Sequence, residues 1–164
     1  MTGQPKSRLG AGPTMGTAAG VYMIAAWVAS AYLPNVTRLD WPPPFIWRLA
    51  GTALIGTGTV IYIWALYRLW IAELRGVLAQ TGPYRYVRHP AYAAWLWFIV
   101  PGLACFSRSW PVLLTPVVFY LVARVFLPKE EAALAKRHDG LWDDYCARTG
   151  RLFPHFRSRQ TNSF

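Results

Sequence analysis

The stretch AYAAWLWFIVPGLACFSRSWPVLLTPVVFYLVA, Ala91 to Ala123, contains two apolar segments separated by the short sequence FSRSWP. The segments run from about 91 to 106 and from about 110 to 123, slightly below the roughly 17 to 25 residues that usually span a bilayer core. Their flanking tryptophans and tyrosines are typical of interfacial anchors. Because FSRSWP has room only for a tight turn, we predict an antiparallel hairpin of two membrane helices.

Two prolines, Pro101 and Pro116, lie inside the predicted hairpin helices. Proline has no N–H to donate, so the carbonyl four residues before it loses its helical partner. Inside a membrane that carbonyl must find another partner. We therefore predict a kink in each of the two helices.

Two more apolar segments precede the hairpin, at about 16–33 and 49–66. The 164-residue chain is 54% hydrophobic and 16% aromatic, which is more apolar side chain than a water-soluble domain of this size can readily bury. We therefore predict an all-α integral membrane protein with four transmembrane helices. Under this interpretation the whole chain, residues 1–164, forms a single domain.

The basic residues are distributed unevenly between the two sides of the predicted bundle. Cytoplasmic loops of membrane proteins carry an excess of lysine and arginine. We therefore predict that both termini are cytoplasmic, and for so short a chain we expect a bacterial inner membrane. The net charge of +10 then reflects orientation and attraction to anionic membrane lipids, and we expect no nucleic-acid partner. The predicted cytoplasmic side has Lys6, Arg8, Arg68, Arg75, Arg85, Arg88 and the run from Arg124 to Arg159, and the other side has Arg38, Arg48 and Arg108.

The sequence GPYRYVRHPAY, which begins at Gly82, leads into the first hairpin helix. Its Gly-Pro pair is typical of a turn, and His89-Pro90 predicts the start of the helix, since proline is tolerated in a first turn. This start would direct side chains and free backbone amides towards the membrane surface. Two interpretations remain open here: Arg85 and Arg88 bind lipid phosphates while the tyrosines anchor the chain, or some of these residues line a binding site.

The sequence RVFLPKEEAALAKRH follows the second hairpin helix. Pro128 predicts the start of a cytoplasmic helix, about 128–148, with Glu130 and Glu131 in its first turn, where the helix dipole favours acidic side chains. An ordinary helix start and a binding site both remain open for this pair, and Arg124 is a candidate counterion for it. We expect the polar, basic tail, residues 155–164, to be loosely ordered.

An ordered set of motifs runs from Gly82 to Pro154: GPYxxxRHPxY, the hairpin, an EE pair, a tyrosine-bearing helix and an RxxP ending. This set resembles the isoprenylcysteine carboxyl methyltransferase family and its phospholipid N-methyltransferase relatives. The resemblance implies an integral membrane methyltransferase that uses S-adenosylmethionine and releases S-adenosylhomocysteine. It also implies a cofactor site at the cytoplasmic end of the hairpin, closed by the C-terminal helix.

The resemblance further implies roles for individual residues. Arg88 and His89 are the candidate catalytic residues. Arg88 would orient a carboxylate of the cofactor or the acceptor, whereas His89 would act either as a general base or only to position the backbone. Cofactor contacts are implied for Arg88, His89, Pro90, Tyr92, Glu130 and Glu131.

The phospholipid methyltransferase branch also uses a GxG motif in the preceding span, which Gly56-Thr57-Gly58 matches. The resemblance therefore implies further cofactor contacts from Gly56 and Gly58. Small residues in membrane helices more commonly allow two helices to approach closely. Both interpretations of these glycines remain open.

The methyl acceptor is not identified by the sequence. Ala94 stands where many relatives have glycine, His138-Asp139 replaces a usual Phe-Gly, and Trp142 replaces the first tyrosine of a pair whose second member is Tyr145. These departures lie near the helix that closes the implied site, so they affect the acceptor more than the cofactor. A lipophilic carboxylate, thiol or amine therefore remains a candidate substrate, either a small molecule or a lipid.

Methyl transfer requires no metal and no covalent enzyme intermediate, because the sulfonium methyl group is already electrophilic. The enzyme must hold donor and acceptor in line and exclude water, and we expect no metal site. Two other classes of protein remain open: an NADPH-dependent enzyme similar to sterol reductases, and a non-catalytic membrane protein that binds lipid or a partner. The sequence leaves the oligomeric state undetermined.

Overall fold

The computed structural model describes residues 12–138 and 140–154, and the regular elements in these ranges are helical. The predicted all-α class is therefore confirmed for this part of the chain, while the predicted loose tail, residues 155–164, lies outside it. A 3₁₀ turn lies at Gly82–Arg85 and a π turn at Trp95–Ile99. The helices are α1 (Gly12–Tyr32), α2 (Pro34–Thr37), α3 (Pro44–Leu74), α4 (Pro90–Ala94), α5 (Val100–Ser107), α6 (Trp110–Leu113), α7 (Thr115–Arg137) and α8 (Leu141–Arg148).

Three helical stretches of the described chain are long and apolar enough to cross a membrane: Pro44–Leu74, Pro90–Ser107 and Trp110–Arg137. Many of their apolar side chains face outward. Val60 is 67% exposed and Leu121 is 56% exposed. Exposing apolar area to water costs about 25 cal/mol per Å², so this surface suits a lipid environment, as the sequence predicted.

The first predicted span, about 16–33, corresponds to α1. At 21 residues, α1 is about 31 Å long. It packs against the hairpin, where Ala19 belongs to the same buried cluster as Phe119 and Leu127. Three candidate spans are thus present in the described chain, and a membrane crossing by α1 stays a prediction.

The predicted hairpin turn is confirmed at the end of α5. Arg108 adopts a left-handed conformation with φ of 47°, and the chain reverses before α6 begins at Trp110. The buried Ser109 hydroxyl lies 2.6 Å from the hydroxyl of Ser30 on α1. This hydrogen bond ties the hairpin turn to α1.

The two hairpin prolines disrupt their helices in different ways. Before Pro101 the helix widens into the π turn, where the amide of Val100 donates to the carbonyl of Trp95, five residues earlier. Pro116 does not lie inside a helix as predicted, because the helix breaks at Leu114 and restarts, which places this proline in the first turn of α7. A proline there has no lost hydrogen bond to replace.

The prediction that Pro128 begins a separate cytoplasmic helix is wrong. α7 continues through Pro128 to Arg137, and the chain breaks only near Gly140, which has a left-handed φ of 76° before α8 begins. A proline inside a helix removes a single N–H donor, and the strong helix formers that follow it sustain the helix on the other side. Glu130 and Glu131 therefore lie on the same continuous helix as the second half of the hairpin.

α3 packs closely against the hairpin at Gly58. A Cβ atom at this position would lie 2.7 Å from Cβ of Phe98 and 2.8 Å from Cγ1 of Ile99, far inside the normal contact distance between carbon atoms. Gly56 faces outward, and a Cβ atom there would meet nothing within 4 Å. Gly58 thus allows the close approach of two helices that small residues commonly provide in membranes.

We expect Gly58→Val to destabilise the protein by about 1–3 kcal/mol, because the added carbons overlap the hairpin helix. The matched control Gly56→Val is expected to change stability by about 0.5 kcal/mol or less. Thermal unfolding in detergent measures both. Equal losses in the two variants would contradict the packing role of Gly58.

Candidate active site

The segment before α4 is held against α3 by its turn. Gly82 has a left-handed φ of 66°, and a Cβ atom added there would lie 3.2 Å from Cγ of Arg68 and 3.4 Å from Cε2 of Trp64. The 3₁₀ turn buries Tyr84, and α4 then begins at Pro90 as predicted. The predicted turn and helix start are therefore both confirmed.

The backbone amides before α4 are not free, in contrast to the prediction. The Arg88 amide donates to the Gly150 carbonyl at 2.8 Å, and the His89 amide donates to the Arg151 carbonyl at 3.2 Å. Residues 149–154, which we call the C-terminal segment, thus pair with the RHP motif in parallel. No local sequence pattern indicates this pairing, because it joins residues far apart in the chain.

Aromatic residues fix the C-terminal segment across the end of the hairpin. Trp97 donates its indole N–H to the Leu152 carbonyl at 3.2 Å. The ring of Phe153 lies 4.8 Å from the ring of Trp97 and 5.9 Å from that of Tyr120. The segment therefore contacts both hairpin helices.

α8 is joined to the RHP side of the site by one buried hydrogen bond. The Tyr145 hydroxyl donates to the Tyr84 carbonyl at 2.7 Å. Burial raises the pKa of the Tyr145 hydroxyl, so it remains a neutral donor at physiological pH. The bond fixes α8 and the C-terminal segment that follows it.

We expect Tyr145→Phe to destabilise the protein by about 1–3 kcal/mol, because the ring still packs while the buried carbonyl of Tyr84 loses its donor. Thermal unfolding measures the loss, and limited proteolysis after α8 tests whether the C-terminal segment opens more often. Tyr86→Phe, at an exposed tyrosine, is the control. Unchanged unfolding and proteolysis in Tyr145→Phe would contradict the fixing role of this bond.

Glu131 lies at the centre of a charged cluster. Its Oε1 lies 3.2 Å from Nε of Arg88 and 3.4 Å from Nε2 of His89. Its Oε2 accepts hydrogen bonds from Arg151, including one from Nε at 3.0 Å. The bond to Glu131 raises the pKa of the Arg151 guanidinium, which therefore stays charged.

Glu130 lies beside this cluster in a more exposed position, with a side-chain exposure of 25% against 10% for Glu131. Its Oε2 accepts a hydrogen bond from the Tyr92 hydroxyl at 3.2 Å, and its Oε1 lies 4.0 Å from Nδ1 of His89. The rings of His89 and Tyr92 stack with centroids 5.6 Å apart. The RHPxY residues and the acidic pair therefore meet in one place.

A cleft of about 430 Å³ adjoins the cluster, within the range of about 300–1,000 Å³ that is usual for small-molecule sites. It shares Arg88 and Arg151 with the cluster, so these two arginines separate the buried carboxylate from the open space. The other lining residues combine aromatic surface with one more guanidinium: Tyr120, Arg124, Gly150, Leu152, Phe153 and Pro154.

The structure brings most of the predicted site residues together. Pro90 lies fully buried at the start of α4, next to the cluster. Arg151 also belongs to the charged cluster. It was not among the site residues predicted from the sequence, although it is the arginine of the RxxP ending. The predicted pairing of Arg124 with the acidic residues is absent from the described ion pairs, in which Arg88 and Arg151 take that role. The predicted residues that meet are Arg88, His89, Tyr92, Glu130 and Glu131.

Gly56 and Gly58 lie away from this cluster. Gly58 contacts Phe98, eight residues beyond the start of α4, which corresponds to about 12 Å along a helix axis. Gly56 is exposed on the outer face of α3. The cofactor contacts implied for the GxG motif stay a prediction.

The part of the chain that the structure describes thus combines three helical stretches that are apolar enough to cross a membrane with a charged cluster at one end of the hairpin. Residues 59–136 match the family model of the isoprenylcysteine carboxyl methyltransferase (ICMT) family. The match includes the RHPxY motif, the hairpin and the acidic pair, and it confirms the resemblance stated from the sequence; this family is one of membrane methyltransferases. No curated protein matches the chain.

Proposed function

We propose that the protein transfers a methyl group from S-adenosylmethionine to a lipophilic acceptor at the cytoplasmic surface of a membrane. The RHPxY motif begins the first hairpin helix, and the acidic pair lies near the end of the second. The two motifs meet around Glu131 beside an open cleft, and this observation carries the proposal. A purely lipid-anchoring role for these arginines would need no buried acidic partner.

The residues of the cluster suit this cofactor. Carboxylates accept hydrogen bonds from ribose hydroxyls or an ammonium group, and guanidiniums bind a carboxylate at two points. Glu130 supplies an accessible carboxylate, and Arg88 supplies a guanidinium on the wall of the cleft. When bound, S-adenosylmethionine supplies an electrophilic methyl group and leaves as S-adenosylhomocysteine.

The cleft favours one of the three acceptor chemistries, a carboxylate with an apolar tail. Arg88, Arg124 and Arg151 give it a positive lining, while Tyr120 and Phe153 provide apolar surface. Guanidiniums attract a carboxylate and repel a protonated amine. A carboxylate has no proton to lose on methylation, so we assign His89 to positioning and not to general-base catalysis.

Hydrophobic and electrostatic features together suggest how the acceptor reaches the site. The cleft lies at the charged end of α7, beyond an apolar span that suits lipid. We therefore propose that a lipophilic acceptor enters from the membrane, with both chain termini on the cytoplasmic side of a bacterial inner membrane. Membrane lipids are then its immediate partners.

A methyl-transfer assay tests this function. The purified protein in nanodiscs is incubated with methyl-labelled S-adenosylmethionine and three amphiphiles that share one apolar tail but end in a carboxylate, a thiol or an amine. We expect label only in a base-labile ester of the carboxylate. Label in the thiol or amine would overturn the acceptor assignment, and NADPH oxidation without methyl transfer would select the reductase alternative.

A further inference from the structure

The two carboxylates of the acidic pair are in different situations. Glu131 faces basic side chains at both oxygens: Oε1 lies 3.2 Å from Nε of Arg88 and 3.4 Å from Nε2 of His89, and Oε2 accepts hydrogen bonds from Arg151. The residue is only 8% exposed. A carboxylate that is this buried and has an arginine at each oxygen is enclosed by the chain and offers a ligand little accessible surface.

Glu131 also connects parts of the chain that are distant in sequence. Arg88 and His89 lie before α4, Glu131 lies near the end of α7, and Arg151 lies in the C-terminal segment. The backbone hydrogen bonds from the Arg88 and His89 amides join the first and last of these parts as well. Glu131 is therefore the side chain through which all three meet.

The geometry of Arg88 shows what this connection achieves. Arg88 meets Glu131 through Nε, at 3.2 Å, and this contact does not use its two terminal nitrogens. The same side chain lines the cleft. This close ion pair limits the movement of the guanidinium, so a partner in the cleft meets an arginine that is already oriented.

We propose that Glu131 is a positioning residue that holds Arg88 and His89 against the C-terminal segment through Arg151 and does not contact the cofactor. This inference rests on the proposed function and deepens it, because it makes Glu130 the cofactor ligand and gives Glu131 a positioning role only. The family resemblance assigned cofactor contacts to both.

Hydrogen exchange of the cofactor-free protein in nanodiscs tests the positioning role of Glu131 directly. Peptides that contain the Arg88 and His89 amides report whether the C-terminal segment stays paired. We expect Glu131→Gln to speed their exchange by about tenfold, because a charged hydrogen-bonding centre is lost. The matched control Glu130→Gln is expected to leave exchange within about twofold.

A second readout separates positioning from ligand binding. At saturating S-adenosylmethionine, Glu131→Gln is expected to lower kcat by about tenfold or more, whereas Glu130→Gln mainly raises the Kd of the cofactor. The proposal is overturned if Glu131→Gln leaves exchange unchanged and raises that Kd as much as Glu130→Gln does. Such a result would make Glu131 a direct ligand.

Two further arms keep the test decisive. If Glu131→Gln does not fold, Arg151→Gln replaces it, because the Arg151 side chain is 37% exposed. Its loss should speed the hydrogen exchange of the same two amides. Unchanged exchange in Arg151→Gln contradicts the positioning role of Glu131. If the wild-type protein binds no S-adenosylmethionine, the proposed function fails. The exchange result still decides whether Glu131 holds the C-terminal segment in place.

Discussion

Arg88→Ala is expected to lower kcat/KM for a lipophilic carboxylate by about 100-fold. Arg88 is 14% exposed in its side chain, pairs with Glu131 and lines the cleft, so its guanidinium is both held and accessible to a ligand. Charge-assisted, two-point bonds to a carboxylate are among the stronger polar interactions in proteins. Steady-state kinetics with varied acceptor measures the loss.

Two control variants separate this effect from a general loss of charge. Arg85→Ala removes an exposed arginine three residues earlier, outside the cluster, and should keep kcat/KM within about twofold. Arg88→Lys keeps the charge but not the planar fork, so its activity should fall between the wild type and Arg88→Ala. Equal losses in Arg85→Ala and Arg88→Ala would contradict a specific role for Arg88.

Glu130→Ala is expected to raise the Kd for S-adenosylmethionine by about 10- to 100-fold. The carboxylate is accessible, and hydrogen bonds to charged groups contribute about 1.5–3 kcal/mol each. The Tyr92 hydroxyl also loses its acceptor at 3.2 Å, so the position of the stacked His89 ring is expected to shift. Calorimetric titration in nanodiscs measures the affinity.

Glu73→Ala provides the matched control for this variant. Glu73 is an exposed glutamate near the end of α3, on the same side of the hairpin but outside the cluster. Its loss should leave the cofactor affinity within about twofold. A Glu130→Ala protein that is folded and binds the cofactor as tightly as the wild type would remove Glu130 from the site.

Local patterns were sufficient to predict the hairpin and the start of α4. The apolar run that ends at FSRSWP requires a reversal, and His89-Pro90 fixes a helix start through the restrictions of a single proline ring. The same kind of reasoning failed at Pro128. There, the proline costs one hydrogen bond, and the apolar packing of α7 together with the alanine-rich sequence after it decides the outcome.

The charged cluster could be predicted only in part. The motifs identified Arg88, His89 and the acidic pair, but their partner Arg151 comes from a segment whose position depends on long-range backbone pairing. A sequence pattern does not show such pairing, so Arg124, which is nearer to Glu131 in the chain, was the predicted counterion. The two roles that we distinguish within the acidic pair likewise depend on burial, which the spacing of two adjacent residues does not reveal.

Calorimetric titration of the wild-type protein in nanodiscs tests most directly whether the cluster around Glu130 and Glu131 binds S-adenosylmethionine. We predict saturable binding of S-adenosylmethionine and of S-adenosylhomocysteine, abolished in a folded Glu130→Ala, Glu131→Ala double variant. Retained affinity in that double variant, or saturable binding of NADPH without binding of S-adenosylmethionine, would contradict the account.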